Sequence, residues 1–454
     1  MLGRTRDLEA FHTRLTAWLK RRHPTRRGLR VAPPVAPKAG LSNETLLVDT
    51  SWTEDGRERN ESLVVRMEPT EFLVFPEYDL ERQVQVMQCL AGTDVPVPRV
   101  LAFEADASVL GTPFYVMEKI PGEIPSEVPP YHAFGWCLDA SPERRARLWW
   151  SGIQTLACIH ALDWKALGLS SLGAPGPGAD PIERQLAWWD HYLGWVKGDG
   201  EQPVLEAALA WLREHRYAPA RVALCWGDAR LPNMIFRDDR VVGVLDWEMA
   251  FLGDPEADLG WWLFLDRANS EGYGIPRLAG FPGAAETIAR YEALAGRTVE
   301  HAFYQEVFAA LRFGAIMARV AQRLKAIGAP TPTEDFERDN VCTQELARML
   351  GLPPPGRMRE ETRVGDVTVR VQFHLTGPDG GDFYLVSERG RAERFAGTVE
   401  RPDVTVTATA EDWSALRRGD LDRARAFLGG RLKVDGDLTL LMQLEEAITR
   451  LGGA

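Results

Sequence analysis

The chain has 454 residues, of which 45% are hydrophobic and 26% charged, so we expect a globular protein of two or three domains. The formal net charge of -12 argues against nucleic acid as a partner. The five cysteines form no Cys-x-x-Cys pair, and neither a signal peptide nor a membrane span is recognisable, which predicts a cytoplasmic protein without disulfides or structural zinc.

Residues 1–38 are predicted to form an N-terminal amphipathic helix and a linker. Apolar side chains recur at helical spacing between residues 7 and 22, and several prolines follow. The apolar stripe consists of Leu8, Phe11, Leu15, Trp18 and Leu19. We interpret the basic run from Lys20 to Arg30 as a solvated surface segment rather than a contact with anionic lipid.

Residues 39–122 are predicted to form a small α+β lobe. Strands are predicted at 44–50, 62–67 and 114–120, and a helix at 79–91. A second, mainly helical lobe is predicted for residues 123–350.

The Pro-rich linker 351–356 is predicted to separate this lobe from a further α+β domain at 357–454. Apolar side chains alternate strictly from Val367 to Leu375, as in a half-buried strand. Helices are predicted at 421–428 and 438–451.

Three polar side chains in the second lobe have the spacing of a phosphoryl-transfer site. Asn233 follows Asp228 by five residues, and Asp246 ends a short apolar strand. Phosphoryl transfer needs an oriented hydroxyl and a metal ion that neutralises the phosphates. Asp228 is therefore the predicted catalytic residue, which accepts the hydroxyl proton or orients that hydroxyl. Asn233 and Asp246 offer the oxygen ligands that Mg²⁺ prefers. Arg230 is predicted to reach the transferring phosphate, and ATP and Mg²⁺ are the expected cofactors.

Four neighbouring polar residues receive other interpretations. Glu248 is a candidate second metal ligand. Asp254 and Asp258 are expected to cap and brace the helix that follows them. His160 is interpreted as a packing or hydrogen-bonding residue of a helix.

Residues 39–265 resemble the aminoglycoside phosphotransferase superfamily, and within it the branch that is fused to acyl-CoA dehydrogenases. The resemblance implies a two-lobed protein-kinase-like fold. It rests on the catalytic pattern and on three segments of the first lobe: residues 39–45, which match the nucleotide loop, Val64-Val-Arg66, and the hinge strand Phe114-Tyr-Val-Met-Glu118.

The resemblance also implies the nucleotide contacts. Backbone amides around Gly40, Ser42 and Asn43 would cradle phosphate. Arg66 would contact the phosphates with Glu81 as its ion-pair partner, although an ordinary surface pair would also explain those two residues. The strand that holds Met117 and Glu118 would meet adenine through its backbone.

The sequence departs from the family in one position. Trp226 stands where the family usually has histidine, two residues before Asp228. In kinase-like folds this residue braces the loop, so the departure is compatible with activity. A non-catalytic binding protein is the alternative.

Residues 357–454 resemble the sterol carrier protein family, chiefly in Arg401-Pro-Asp-Val-Thr-Val406 and Gly430-Arg-Leu-Lys-Val-Asp-Gly436. The resemblance implies a sheet covered by helices, with an apolar tunnel for a lipid or acyl ligand. A scaffold or dimerisation domain with a filled core is the alternative.

A kinase-like site beside a lipid-carrier-like domain predicts ATP- and Mg²⁺-dependent phosphorylation of a hydroxyl group on an apolar small molecule. The resemblance implies a hydroxyacyl-CoA thioester or lipid-like metabolite as acceptor. An aminoglycoside or macrolide O-phosphotransferase and a non-catalytic nucleotide- or lipid-binding protein are the alternatives. Five tryptophans could line the acceptor pocket or fill the helix core: Trp188, Trp189, Trp195, Trp261 and Trp262.

Overall fold

A computed structural model describes residues 7–36, 44–173 and 180–436, except 330, 334, 354, 356–368, 379, 389–390, 419–420, 422–425 and 427–428. The described helices and strands confirm the α+β fold class that the sequence predicted. None of these helices has the length and apolarity needed to cross a bilayer.

The first lobe is a five-stranded antiparallel sheet with one helix on each face, in the strand order β1-β2-β3-β5-β4. Its elements are α1 (Leu8–Arg22), β1 (Arg27–Val31), β2 (Glu44–Glu54), β3 (Arg57–Met67), α2 (Leu80–Leu90), β4 (Val100–Glu104) and β5 (Phe114–Glu118). Because side chains alternate along β3, Leu63 and Val65 face α1, whereas Val64 and Arg66 face α2 and the second lobe.

The segment predicted as a linker contains β1, an edge strand that pairs with β2. The basic run therefore belongs partly to the first sheet. The strand was not predicted from the sequence because only one of its side chains, Leu29, is buried, while Arg27 and Arg30 are exposed. An edge strand with charged side chains carries little of the alternation that identifies a strand.

The second lobe consists mainly of helices around a pair of two-stranded sheets. Its elements are α3 (Trp136–Asp139), α4 (Pro142–Ala161), α5 (Pro181–Lys197), α6 (Pro203–Glu214), β6 (Ala223–Cys225), β7 (Met234–Arg237), β8 (Arg240–Val244), β9 (Phe251–Gly253), α7 (Glu256–Ala268), α8 (Ala284–Ala295), α9 (Ala302–Ala326) and α10 (Val341–Leu350). Strand β6 pairs with β9, and β7 pairs with β8.

The loop between β3 and α2 ties the two lobes together. Its backbone carbonyls accept hydrogen bonds from two helices of the second lobe. The Tyr192 hydroxyl on α5 donates to Val74 O at 2.7 Å, and Arg319 Nε on α9 donates to Leu73 O at 2.8 Å. One buried and one exposed hydrogen bond thus join this loop of the first lobe to the second lobe.

The described part of the C-terminal region forms another five-stranded sheet, in the order β12-β11-β10-β13-β14, with one helix against it. Its elements are β10 (Val369–Thr376), β11 (Gly381–Glu388), β12 (Arg391–Ala396), β13 (Val404–Thr409), α11 (Ala410–Arg418) and β14 (Leu432–Gly436). The rings of Phe373 and Phe383 stack in its core at 4.5 Å between centroids. Most of the helix predicted at 421–428, and all of that at 438–451, lie outside the described residues.

Helices α7 and α9 approach closely at Gly260. A Cβ atom there would lie 2.7 Å from the backbone carbon of Gln305, well inside van der Waals contact. Glycine is therefore required by the packing rather than by its dihedral angles.

We predict that Gly260→Ala lowers the free energy of unfolding by about 1–3 kcal/mol, because the added methyl group forces α7 away from α9. Gly194→Ala is the matched control, since Gly194 is a helical glycine whose Cβ would meet nothing within 4 Å. Higher helix propensity should stabilise that variant by up to about 1 kcal/mol. Urea unfolding followed by tryptophan fluorescence checks both changes, and equal stability of the two variants would contradict the prediction.

Candidate active site

Asp228 lies in the loop after β6 and is 7% exposed. Asn233 Nδ2 donates to its Oδ2 at 2.6 Å, and Trp261 Nε1 donates to its Oδ1 at 2.9 Å. The preceding Gly227 has φ +89°, and a Cβ there would lie 2.1 Å from Met249 O. The loop therefore requires glycine at this position, next to the predicted catalytic base.

Arg230 lies between two carboxylates. It forms an ion pair with Glu127, and its Nε is 2.9 Å from Asp228 Oδ1, without the alignment of a hydrogen bond. Burial raises the pKa of Asp228 above the ordinary aspartate value. The charge of Arg230 lowers the pKa of Asp228, whereas the charges of Asp246 and Glu127 raise it further.

Leu245, which lies between β8 and Asp246, connects Asn233 to Asp246 through its backbone. Leu245 N donates to Asn233 O at 2.9 Å, and Leu245 O accepts from Trp226 Nε1 at 2.8 Å. Asp246 itself has φ +57°, a left-handed conformation that aspartate tolerates better than most residues. Trp226, which replaces the family's usual histidine, thus braces the loop with its indole group.

Arg66 of the first lobe contacts Asp246 and Glu248 of the second lobe. It forms an ion pair with Asp246, and its Nη2 lies 3.9 Å from Glu248 Oε2. The predicted pairing with Glu81 is wrong for this structure, because Glu81 is exposed on α2. The neighbouring Arg82 contacts the second lobe instead, donating to Ala250 O at 2.7 Å.

The charged side chains at the site carry an excess of negative charge that a divalent cation can balance. Arg66 lies between Asp246 and Glu248, and Arg230 lies between Asp228 and Glu127. These four carboxylates and two guanidiniums carry a formal charge of -2. Because Asn233 Nδ2 donates hydrogen bonds to Asp228, the Oδ1 atom of Asn233 is left to bind a cation. The carboxylate and amide oxygens fit Mg²⁺, a hard cation.

Asp258 on α7 accepts hydrogen bonds from the backbone of the loop after β6. Its Oδ2 accepts from Trp226 N at 2.6 Å, and its Oδ1 accepts from Gly227 N at 2.8 Å. His160 Nε2 lies 3.0 Å from Oδ2. His160 is therefore a hydrogen-bonding helix residue, as predicted. Asp258 braces the catalytic loop rather than the start of its own helix.

Asp254 Oδ1 accepts a hydrogen bond at 3.0 Å from the backbone N–H of Glu256, the first residue of α7. Asp254 therefore braces the start of this helix, as expected, but the N-cap residue is Pro255.

The remaining predicted nucleotide contacts lie in the first lobe. Met117 pairs with Val64 on the face that carries Arg66. The Glu118 backbone N–H already donates to Arg99 O at 3.0 Å, so this group is not free for adenine. Gly40, Ser42 and Asn43 lie outside the described residues.

The five tryptophans that could line a pocket or fill the helix core are mostly helix core. Trp189, Trp261 and Trp262 are buried, Trp195 is partly buried, and Trp188 is 40% exposed. The contacts of Trp261 and Glu127 with the catalytic loop were not predicted from the sequence. No local signal could have identified them, because Glu127 lies about a hundred residues before Arg230 in the chain.

Two family models match the chain. The phosphotransferase enzyme family matches residues 35–294, and the SCP-2 sterol transfer family matches residues 357–449. Similar curated proteins include acyl-CoA dehydrogenase family member 10 of Mus musculus, 36% identical over 224 residues, and family member 11 of Rattus norvegicus, 30% identical over 225 residues. Each alignment covers 49% of this chain but only 19% and 26% of the respective relative.

A solved structure from Ralstonia eutropha, provisionally assigned as an aminoglycoside phosphotransferase, is also similar. It is 25% identical, with a TM-score of 0.54, and the match covers 74% of this chain and 96% of that protein. The kinase-like fold and the C-terminal sterol-carrier-like domain predicted from the sequence are confirmed by these matches.

We predict that Asp258→Asn releases the loop. The asparagine side chain offers one acceptor oxygen in place of two. The backbone N–H of Trp226 or of Gly227 therefore faces an NH₂ group and loses its hydrogen bond to a charged acceptor. Hydrogen–deuterium exchange of peptides spanning residues 223–234 should become faster. Asp238→Asn, at an exposed residue of the turn between β7 and β8, is the control. Unchanged exchange in Asp258→Asn would contradict the bracing role.

Proposed function

Because this chain belongs to the phosphotransferase enzyme family, we propose that it transfers the γ-phosphoryl group of ATP to an alcohol hydroxyl. The observation that carries the proposal is the grouping of Asp228, Asn233 and Asp246. Asn233 Nδ2 lies 2.6 Å from Asp228 Oδ2, and the Leu245 backbone joins Asn233 to Asp246. A proton acceptor beside two metal-ligand side chains is what phosphoryl transfer requires.

In the proposed reaction, the acceptor oxygen bonds to the γ-phosphorus, the bond from that phosphorus to the bridging oxygen breaks, and ADP leaves. Asp228 accepts the hydroxyl proton, and its raised pKa favours that step. Arg230 contacts the transferring phosphate. Arg66 contacts the ATP phosphates, which would give its buried, unpartnered Nε an acceptor. Asn233 and Asp246 would hold Mg²⁺, which neutralises phosphate charge when bound.

The proposed acceptor is apolar, most specifically a hydroxyacyl-CoA or a lipid-like metabolite. Three exposed apolar side chains support this class, and they flank the residue that pairs with Arg230. They are Ile124, Val128 and Phe134, which are 45%, 73% and 44% exposed, and Glu127 lies among them. The relatives named as acyl-CoA dehydrogenases support a CoA thioester.

We further propose that the SCP2 domain binds the lipid or acyl part of such a molecule. Its described core holds the stacked rings of Phe373 and Phe383 and the indole of Trp413. The five free cysteines support a reducing compartment, and the cytoplasm remains our prediction.

An acceptor screen tests the proposal. The protein is incubated with Mg²⁺ and ATP in the presence of hydroxyacyl-CoAs, sterol-like alcohols, aminoglycosides or macrolides. ADP formation is measured, and products are identified by mass spectrometry. We expect a phosphorylated hydroxyacyl-CoA or lipid alcohol. Asp228→Asn should lower turnover by about 10²- to 10⁴-fold, because the general base is lost, while ATP binding persists.

Asp238→Asn is the matched control and should retain wild-type turnover, since Asp238 is exposed in the β7–β8 turn. Phosphorylation of antibiotics alone would overturn the proposed acceptor. Binding of Mg²⁺ and ATP without turnover of any acceptor would instead indicate a non-catalytic nucleotide-binding protein.

The pH dependence of turnover provides a second prediction, since Asp228 must be ionised to accept a proton. Glu127→Gln removes an anion that raises the pKa of Asp228, so the acid limb of kcat/KM should move to lower pH. Arg230→Gln removes the cation that lowers this pKa, so the limb should move to higher pH. The comparison uses the pH at which kcat/KM falls on the acid side of the profile, not the maximum value of kcat/KM. Shifts in the same direction would contradict the assignment of Asp228 as the base.

A further inference from the structure

Helix α7 contributes a side chain to the carboxylate of the proposed base. Trp261 Nε1 donates to Asp228 Oδ1 at 2.9 Å, and Trp261 is 1% exposed. An indole N–H is only a donor, so it cannot bind a metal ion. This contact therefore lies outside the set of metal ligands.

The two oxygens of Asp228 are held by different donors. Asn233 Nδ2 occupies Oδ2 at 2.6 Å, and Trp261 occupies Oδ1. A carboxylate held at both oxygens cannot rotate about its Cβ–Cγ bond without breaking a hydrogen bond. Because Asn233 must also serve the cation with its amide oxygen, Trp261 is the donor devoted to Asp228 alone.

The indole of Trp261 is itself held in place. The guanidinium carbon of Arg312 lies 4.3 Å from the ring centroid, and Phe313 meets the ring in an edge contact at 5.8 Å. Arg312 is 1% exposed, so the cation–π contact is made away from water, where such contacts are strongest. A buried aromatic ring with contacts on its face and edge has little freedom to turn.

We propose that Trp261 is a positioning residue for phosphoryl transfer: its indole N–H fixes the direction in which the Asp228 carboxylate meets the acceptor hydroxyl. This inference rests on the proposed function. It concerns turnover rather than nucleotide binding, since Trp261 makes its contact at the proton-accepting group. Misplacement of a reacting group by about 1 Å can cost about 10²-fold in rate.

The neighbouring residue offers a matched control. Trp262 is also buried in α7, at 2% exposed, but its Nε1 has no hydrogen-bond partner among the described residues. Trp261→Phe and Trp262→Phe each remove the same atoms from the same helix. Only the first removes a donor from Asp228.

The kinetic experiment uses the full chain, Mg²⁺, ATP and the hydroxyacyl-CoA with the highest turnover in the screen. We expect Trp261→Phe to lower kcat by about 10- to 100-fold with the KM for ATP unchanged. Trp262→Phe should retain kcat. Equal kcat in both variants, with Asp228→Asn inactive, would overturn the positioning role alone. Wild-type turnover by Asp228→Asn, or no turnover by the wild type, would overturn the proposed function and this inference with it.

A second experiment needs no acceptor. In ¹⁵N-tryptophan-labelled protein, Trp261→Phe and Trp262→Phe assign the two indole N–H resonances. Asp228→Ala should shift the Trp261 resonance and speed its hydrogen exchange, and leave that of Trp262 unchanged. An unaffected Trp261 resonance would show that the contact is absent in solution, which would overturn the inference whatever the kinetics.

Discussion

The buried carboxylate of Asp258 is the constraint on which the candidate active site depends. It accepts hydrogen bonds from the backbone amides of Trp226 and Gly227. Its other partner, His160, lies on α4. Loss of a partner from a buried charge is costly, so the loop after β6 is bound tightly to α7. Trp261 lies one turn after Asp258, on the same side of α7. The helix therefore holds both the loop backbone and the side chain of Asp228.

Buried and partly buried charges at the site occur in an alternating pattern that also joins the lobes. Arg230 separates Asp228 from Glu127, and Arg66 of the first lobe contacts both Asp246 and Glu248 of the second. Each guanidinium is compensated by two acids, as a buried cation requires. The loop between β3 and α2 fixes the lobe that carries Arg66. If Arg66 contacts nucleotide phosphates as proposed, nucleotide binding would therefore redistribute contacts that join the two lobes.

Much of the site could be predicted because its chemistry is local in sequence. Asp228, Asn233 and Asp246 lie within nineteen residues, and the apolar strand before Asp246 indicates where that side chain is placed. The partner of Arg66 could not be predicted in this way. Asp246 is 180 residues away, and Glu81 on the next helix was the nearer candidate in sequence. Ion-pair partners are chosen by distance in space, which local patterns do not report. The edge strand β1 was missed for a related reason, since its exposed arginines hide the alternation.

The sequence by itself determined the reaction type and the succession of a kinase-like and a sterol-carrier-like fold, and it predicted the oxygen-donor metal ligands. These features depend on residue types at short spacing, and side-chain chemistry follows directly from residue type. Only the tertiary structure decided that Trp226 braces Leu245, that Glu127 compensates Arg230, and that Trp261 holds Asp228. Such contacts join segments that meet only when the core packs, so their partners are selected by the geometry of the whole fold.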